Sequence, residues 1–277
     1  MKRILMIGIV LCSMGILHAS EQDSIQVERW LQEASYLPKC CCRTLFFAKK
    51  MLGVPYVAGT LDENEEEKLV SHLDQVDCTT FVETVLALAL AEREKKCDFS
   101  GFKESLKRIR YRGGIMNGYA SRLHYFSDWI HDNERKGVVK ECTAESSCEQ
   151  SMSLWLDYMS THVDSYLPMR KDTSLVREIM CQEKAWHGVE VFYIPKNKLN
   201  LPPEELSIKN GDILAITTAI PGLDVVHVGF AFWNKGELHM LHASSVAGKV
   251  IEDQQSLYEY SKNKKAHTGV RAIRFIY

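Results

Sequence analysis

The sequence lacks the marks of several common protein classes. Lys plus Arg number 34 against 36 Asp plus Glu, a net charge of −2 over 277 residues. No basic stripe is present, so nucleic acid is not an expected partner. No repeat or low-complexity tract breaks the chain, and a composition 45% hydrophobic and 25% charged fits an ordinary folded protein. Beyond residue 17 no apolar run is long enough to span a bilayer. No G-x-S-x-G elbow occurs, which argues against the usual serine hydrolase arrangement. No glycine-rich phosphate loop or dinucleotide fingerprint occurs. A C-x-x-C pair is also missing, and the adjacent Cys40-Cys41-Cys42 cannot readily converge on one tetrahedral ion. Neither a metal nor another cofactor is expected.

The chain does carry a targeting signature at its start. Lys2-Arg3 precede a largely apolar stretch from Ile4 to Leu17, and Leu17-His18-Ala19-Ser20 offers a small-residue cleavage site. Residues 1–20 read as a secretory signal peptide. An uncleaved anchor is the alternative. Cys12 raises the thought of a lipoprotein, but Leu11 before it is larger than the small residue such sites favour. The expected mature protein is exported and soluble, periplasmic or in the cell envelope, with residues 21–277 as a single domain. An oxidising compartment permits disulfides, and Cys142 with Cys148 is the expected local pair.

From residue 21 onward the pattern is first helical and then extended. Val27, Trp30, Leu31 and Ala34 recur at helical spacing, and a second helix is expected over Cys40–Met51. Gly53 to Leu61 reads as a structured loop. An alanine- and leucine-rich helix then follows Asp77-Cys78 and runs to about Glu94. Residues 99–112 read as helix, 137–148 as loop, and 149–166 and 172–186 as two further helices. After Asn210-Gly211 the texture changes to strands at 213–217, 225–233, 238–243, 249–252 and 270–276, with turn residues between them. A helical half followed by an antiparallel meander is α+β architecture.

Three residues in this frame carry the chemistry. Cys78 stands where a polar turn enters the helix, with Asp77 placed to cap it. The partial positive charge of a helix start favours thiolate over thiol. His227 and His242 lie in successive strands. If the hairpin is symmetric about Asn234-Lys235, they face one another on one side of the sheet, with Cβ atoms roughly 5 Å apart. One imidazole can then serve as base toward Cys78 while the other fixes its tautomer. His239 falls on the opposite face and is expected at the surface. The segment from Tyr119 to Trp129 packs Tyr119, Arg122, His124 and Tyr125 closely together. It reads as a substrate-lining stretch in which Arg122 meets a carboxylate.

Five blocks in order give a resemblance to a known family. Gly53-Val54-Pro55-Tyr56, Asp77-Cys78-Thr79-Thr80-Phe81-Val82, Asn210-Gly211-Asp212-Ile213-Leu214, His227-Val228-Gly229-Phe230 and Leu241-His242-Ala243-Ser244 are similar to the conserved blocks of the NlpC family of papain-like cell-wall hydrolases. Thr79-Thr80 replace the family's Ser-Gly, and the long separation of Cys78 from His227 looks like the larger amidase-like branch. The resemblance implies a papain-like core with the nucleophile helix packed on an antiparallel sheet and a helical insertion at about 98–200. It implies Cys78, His227 and His242 as the catalytic residues, with Tyr56, Thr79 and Ser244 at the substrate. Peptidoglycan or a muropeptide is the expected partner. The implied reaction is cleavage between N-acetylmuramic acid and L-alanine. Cleavage after D-glutamate in the stem peptide is the alternative, and a non-catalytic wall-binding protein or an acyl-transfer enzyme on the same scaffold are the other classes. No wall-binding module of the Src-homology-like or LysM type is recognisable.

Overall fold

The structure, a computed structural model, describes residues 21–62 and 66–277. The signal-peptide expectation and Cys12 therefore lie outside the described residues. The helical half comprises α1 (21–35), α2 (Arg43–Lys50), α3 (Cys78–Arg93), α4 (Phe99–Arg110) and α5 (Phe126–Arg135). Then come β1 (Val139–Glu141), β2 (Gln150–Ser153), three helices α6 (Tyr158–Thr161), α7 (Leu167–Lys171) and α8 (Thr173–Lys184), and β3 (Glu190–Pro195). The chain closes with α9 (Pro203–Leu206), β4 (Ile213–Thr218), β5 (Val225–Asn234), β6 (Glu237–Ser244), β7 (Lys249–Glu252), α10 (Leu257–Lys262) and β8 (His267–Phe275). Among the described residues no helix is long and apolar enough to cross a membrane.

The strands form one antiparallel sheet in the order β2-β3-β8-β4-β5-β6-β7, with β1 also paired to β8. This is a mixed α+β fold, as the sequence pattern implied. The region 98–200, however, is not a purely helical insertion. The expected loop at 137–148 holds β1, which pairs Val139 with Phe275. The expected helix at 149–166 begins instead as β2, whose Ser151 and Met152 pair with Phe192 and Val191 of β3. Serine-rich sequence has little helix preference, and the Val-Phe-Tyr-Ile run of β3 supplies a ladder for it. The helix expected at 172–186 is present as α8. That expected from Cys40 starts at Arg43, because Arg43 donates to the carbonyls of Leu37, Pro38 and Cys41 and holds those residues in a turn.

The helix α3 is the centre of the molecule. Every residue from Thr80 to Ala91 is buried, so this stretch is enclosed on all sides and cannot stand at a surface. Its alanines allow close neighbours, and Phe81 meets Phe230 of β5 edge-on at 5.6 Å. One core lies between α3 and the sheet face formed by Val228, Phe230, Leu241 and Ala243. A second core covers the opposite face, where Ala231, Leu238 and Met240 pack with Leu257 and Tyr260 of α10.

The eight described cysteines are all free thiols. The expected Cys142–Cys148 bridge is not formed. The Cys142 sulfur points to the Lys140 carbonyl at 3.5 Å, and that of Cys148 lies 3.1 Å from the Ser146 hydroxyl.

One charge on α3 is buried in an ion pair. Glu83 and Arg110 are each 2% exposed, with Arg110 Nε donating to Glu83 Oε2 at 2.6 Å while the same guanidinium donates to the Val70 carbonyl. Arg110→Ala removes the hydrogen-bonded partner of the buried carboxylate and is expected to cost about 3–5 kcal/mol in denaturant unfolding. A loss below about 1 kcal/mol would show that the pair does not anchor α4 to α3.

Candidate active site

Cys78 is the first residue of α3. Asp77 caps the helix by accepting from the Thr80 N–H at 2.7 Å, and the Thr80 hydroxyl accepts from the Asp77 N–H at 2.8 Å. The second threonine after the cysteine thus completes a capping box, which needs its side-chain hydroxyl. The Cys78 N–H lies in the first turn, where no intrahelical carbonyl can take it. The Val228 N–H and the hydroxyl and N–H of Thr79 favour the anionic form of the sulfur. Val228 follows His227 directly, so α3 presents its thiol at the strand that carries the imidazole.

The two histidines are in direct contact. His227 Nε2 lies 2.6 Å from His242 Nδ1, with the rings edge to face. The register behind this differs from the symmetric hairpin expected. Asn234 pairs with Glu237 across a two-residue turn of Lys235 and Gly236, both at positive φ (51° and 82°). The hairpin centre is thereby displaced by one residue and the register by two. His242 faces Gly229, and His227 is its diagonal neighbour. Because the displacement is an even number, the two side chains still share a face. Gly229 makes room for this. A Cβ at Gly229 would lie 2.8 Å from that of His242 and 2.7 Å from Met240 Cγ.

The shared face is not the one packed on the body of α3. His242 has the parity of Leu238 and Met240, on the side of the second core, and Tyr260 of α10 stands 5.7 Å from its ring and 6.4 Å from that of His227. Cys78 packs against the first core, on the Val228 side of β5, and the sequence step from His227 to Val228 links the histidine face to the thiol face. His239 is not at the surface. It is 4% exposed, stacks on Phe232, and directs Nδ1 to the Asp253 carbonyl at 3.0 Å.

Burial governs the electrostatics. It pushes the Cys78 thiol up to about 11, aided by the negative charge of Asp77 and opposed by the Val228 and Thr79 donors. The helix start favours thiolate, but desolvation outweighs it here. Burial also drives His227 down to about 3, with His242, Lys264 and His267 adding positive charge nearby. His242 is lowered by burial and raised by Asp253. At neutral pH Cys78 rests as a thiol and His227 as a neutral imidazole.

Tyr56 lies near Cys78 and Asp77. Its N–H donates to the Gly248 carbonyl at 2.9 Å, and the chain beside it bridges to Val76, two residues before the cysteine. Burial raises the Tyr56 phenol, and Cys78 and Asp77 add to the shift. Thr79 touches the sulfur as described. Ser244 has another task, since its hydroxyl accepts from the Ala247 N–H at 3.2 Å and holds the β6–β7 turn.

The segment proposed to line the substrate forms a separate cluster. Arg122 does meet carboxylates, but they are Asp62 and Glu67 of the same chain. His124 Nε2 lies 3.0 Å from the Tyr119 carbonyl, and burial drives the ring down to about 3. The Tyr125 hydroxyl donates to Glu183 and accepts from the Met159 N–H, joining α5 to α8. Tyr119 lines a cleft of about 330 Å³ with Asp62, Glu67 and Leu175. Sequence reasoning missed Asp253 and Tyr260. Asp253 Oδ2 lies 3.3 Å from His242 Nε2. Neither residue sits in a recognised block, and only the return of the chain after β7 brings them in.

Residues 46–270 match the model of a protein family described as AmiA-like, N-acetylmuramoyl-L-alanine amidase-like. The chain belongs to this family. Among solved structures, this AmiA-like protein is 40% identical to an N-acetylmuramoyl-L-alanine amidase from Bacteroides uniformis ATCC 8492. The match covers 85% of this chain and 98% of that one, with a TM-score of 0.79. A Bacteroides fragilis protein described as a xylanase is 44% identical over 83% of this chain and 99% of its own, with a TM-score of 0.78. A Legionella pneumophila protein at 23% identity shares the fold, with a TM-score of 0.71 over 94% of this chain and 97% of its own. None of the curated proteins matches.

The raised thiol has a direct spectroscopic consequence. The ultraviolet thiolate signal of Cys78, taken as the difference between the native protein and Cys78→Ala, is expected to be absent near pH 7 and to grow only toward pH 11. A full thiolate signal at neutral pH would overturn the neutral pair.

Proposed function

We propose that this protein is a peptidoglycan amide hydrolase that cleaves the bond between N-acetylmuramic acid and L-alanine through Cys78. The observation that carries the reading is the His227–His242 contact beside a helix-start thiol, in a chain 40% identical to a named amidase of that specificity. We further assign the core to the NlpC-type papain-like hydrolases and place the mature protein in the periplasm or cell envelope. The ordered sequence blocks support the first assignment and residues 1–20 the second.

The reaction follows from the site. Cys78 Sγ attacks the carbonyl carbon of the lactyl amide as its proton passes to His227. The Cys78 N–H donates to the oxyanion. His227 then returns the proton to the departing amine of L-alanine, leaving a thioester on the sulfur. Water, deprotonated by the same imidazole, hydrolyses the thioester and restores the thiol. His242 orients His227 throughout. A neutral starting pair suits this sequence, because charge forms only when the sulfur attacks. Tyr56 stands where it can donate to the substrate.

The xylanase description of the Bacteroides fragilis relative does not transfer to this site. Glycoside hydrolysis calls for two carboxyl groups flanking the scissile bond. Here Asp77 is taken up by the helix cap, and Asp253 by His242 and the Gln255 N–H.

The test is mass spectrometry of muropeptides digested with purified protein. Release of peptides beginning with L-alanine, leaving sugar without it, is expected. Cys78→Ala should lose at least about 10⁴-fold in rate. Cleavage after D-glutamate would assign the stem-peptide reaction instead, and undiminished activity in Cys78→Ala would refute the thiol mechanism. Binding of muropeptides without turnover would leave a wall-binding protein.

A further inference from the structure

We infer that Asp253 is a positioning residue for the reaction, fixing the tautomers of both histidines so that His227 donates from Nε2 to His242 and keeps the free lone pair of a base on Nδ1. This rests on the hydrolase reading of the same site. The argument begins at the carboxylate, which in its ionised form can only accept. Asp253 Oδ2 lies 3.3 Å from His242 Nε2, so that nitrogen carries the hydrogen. A neutral His242 then has its lone pair on Nδ1, 2.6 Å from His227 Nε2. His227 Nε2 must therefore be the donor, and its Nδ1 is left bare to act as base. One carboxylate sets the direction of the whole chain of hydrogen bonds.

Asp253 is itself held from several sides. Its N–H donates to the Met240 carbonyl at 3.0 Å. Its carbonyl lies 3.0 Å from His239 Nδ1, on the opposite face of β6 from His242. Its Oδ1 accepts from the Gln255 N–H at 2.9 Å in a local turn, which leaves Oδ2 for His242. The buried His239, which does not touch the reacting groups, thus steadies the backbone that presents the carboxylate. The other groups around the histidines favour no alternative partner for His242. Tyr260 offers its ring to both histidines. Lys264 lies over Tyr260, and His267 Nδ1 contacts the Ser261 hydroxyl at 3.2 Å.

Asp253→Asn separates positioning from a purely structural role. Asn can still accept the Gln255 N–H and keep the turn, but its amide can also donate and so permit the reversed tautomer at His242. The expected result is a fall in kcat of roughly a hundredfold, at the low end for a positioned proton-transfer group, with KM and Tm little changed. Nitrogen NMR of the native imidazoles should show His242 protonated at Nε2 and bare at Nδ1. A kcat for Asp253→Asn within about threefold of native would overturn the inference, as would a native His242 protonated at Nδ1. The NMR measurement needs neither substrate nor a folded variant, so it decides the tautomer even if the native protein proves inactive on muropeptides. Such inactivity would count against the hydrolase reading alone.

Discussion

The complete burial of α3 is the constraint on which the site depends. A helix that is enclosed on every side is fixed in rotation and translation by neighbours all round it, and its first residue is therefore fixed as well. The capping box of Asp77 and Thr80 stops the helix from fraying at the residue that matters, and the Glu83–Arg110 pair ties its first turns to α4. With the helix start immobile, the sulfur can rest against the Val228 N–H without a dedicated binding loop. Helix burial, capping and the position of Cys78 are thus one piece of physics. The Ala and Leu content of residues 84–91 serves the chemistry as directly as Cys78 does.

Two effects compete over the sulfur. The helix start and three donors favour the anion, whereas desolvation and Asp77 oppose it, and desolvation wins. The same burial holds His227 neutral. A site of this kind stores no ion pair at rest. In the proposed thiol mechanism it relies on proton transfer during attack, which makes the orientation of each imidazole more important than its average basicity. That is why the order of the hydrogen bonds from His227 through His242 to Asp253 carries weight. A relay with the wrong tautomer would offer the thiol an N–H where it needs a lone pair.

The sequence was legible where local rules coincide with tertiary ones. Asp77-Cys78 before an apolar helix, and the alternating strands from 213 onward, could be read because a cap and a period-two pattern are local signals. The strands β1, β2 and β3 were not legible in this way. Two of them are short and largely polar, and they become strands only because β8 and β3 offer partners distant in sequence. The cluster of Tyr119, Arg122, His124 and Tyr125 illustrates the same limit. Its composition suggested a ligand, but the carboxylates of Asp62, Glu67 and Glu183 come from elsewhere in the chain and occupy it.

The histidine pair shows why a wrong register can still give a right contact. The turn at Lys235-Gly236 requires positive φ at both positions, which moves the hairpin centre by one residue from where symmetry about Asn234-Lys235 would put it. Moving the centre by one changes the register by two, and a two-residue change preserves the face. Had the register changed by one, His242 and His227 would have pointed to opposite faces of the sheet, and no contact between them could form. The diagonal relation also asks something of Gly229 that direct opposition would not. His242 now sits across from it, and only a residue without a side chain leaves space for that ring to turn toward His227. The glycine of the His227-Val228-Gly229 block is therefore part of the geometry of the histidine pair, although it contributes no reacting group.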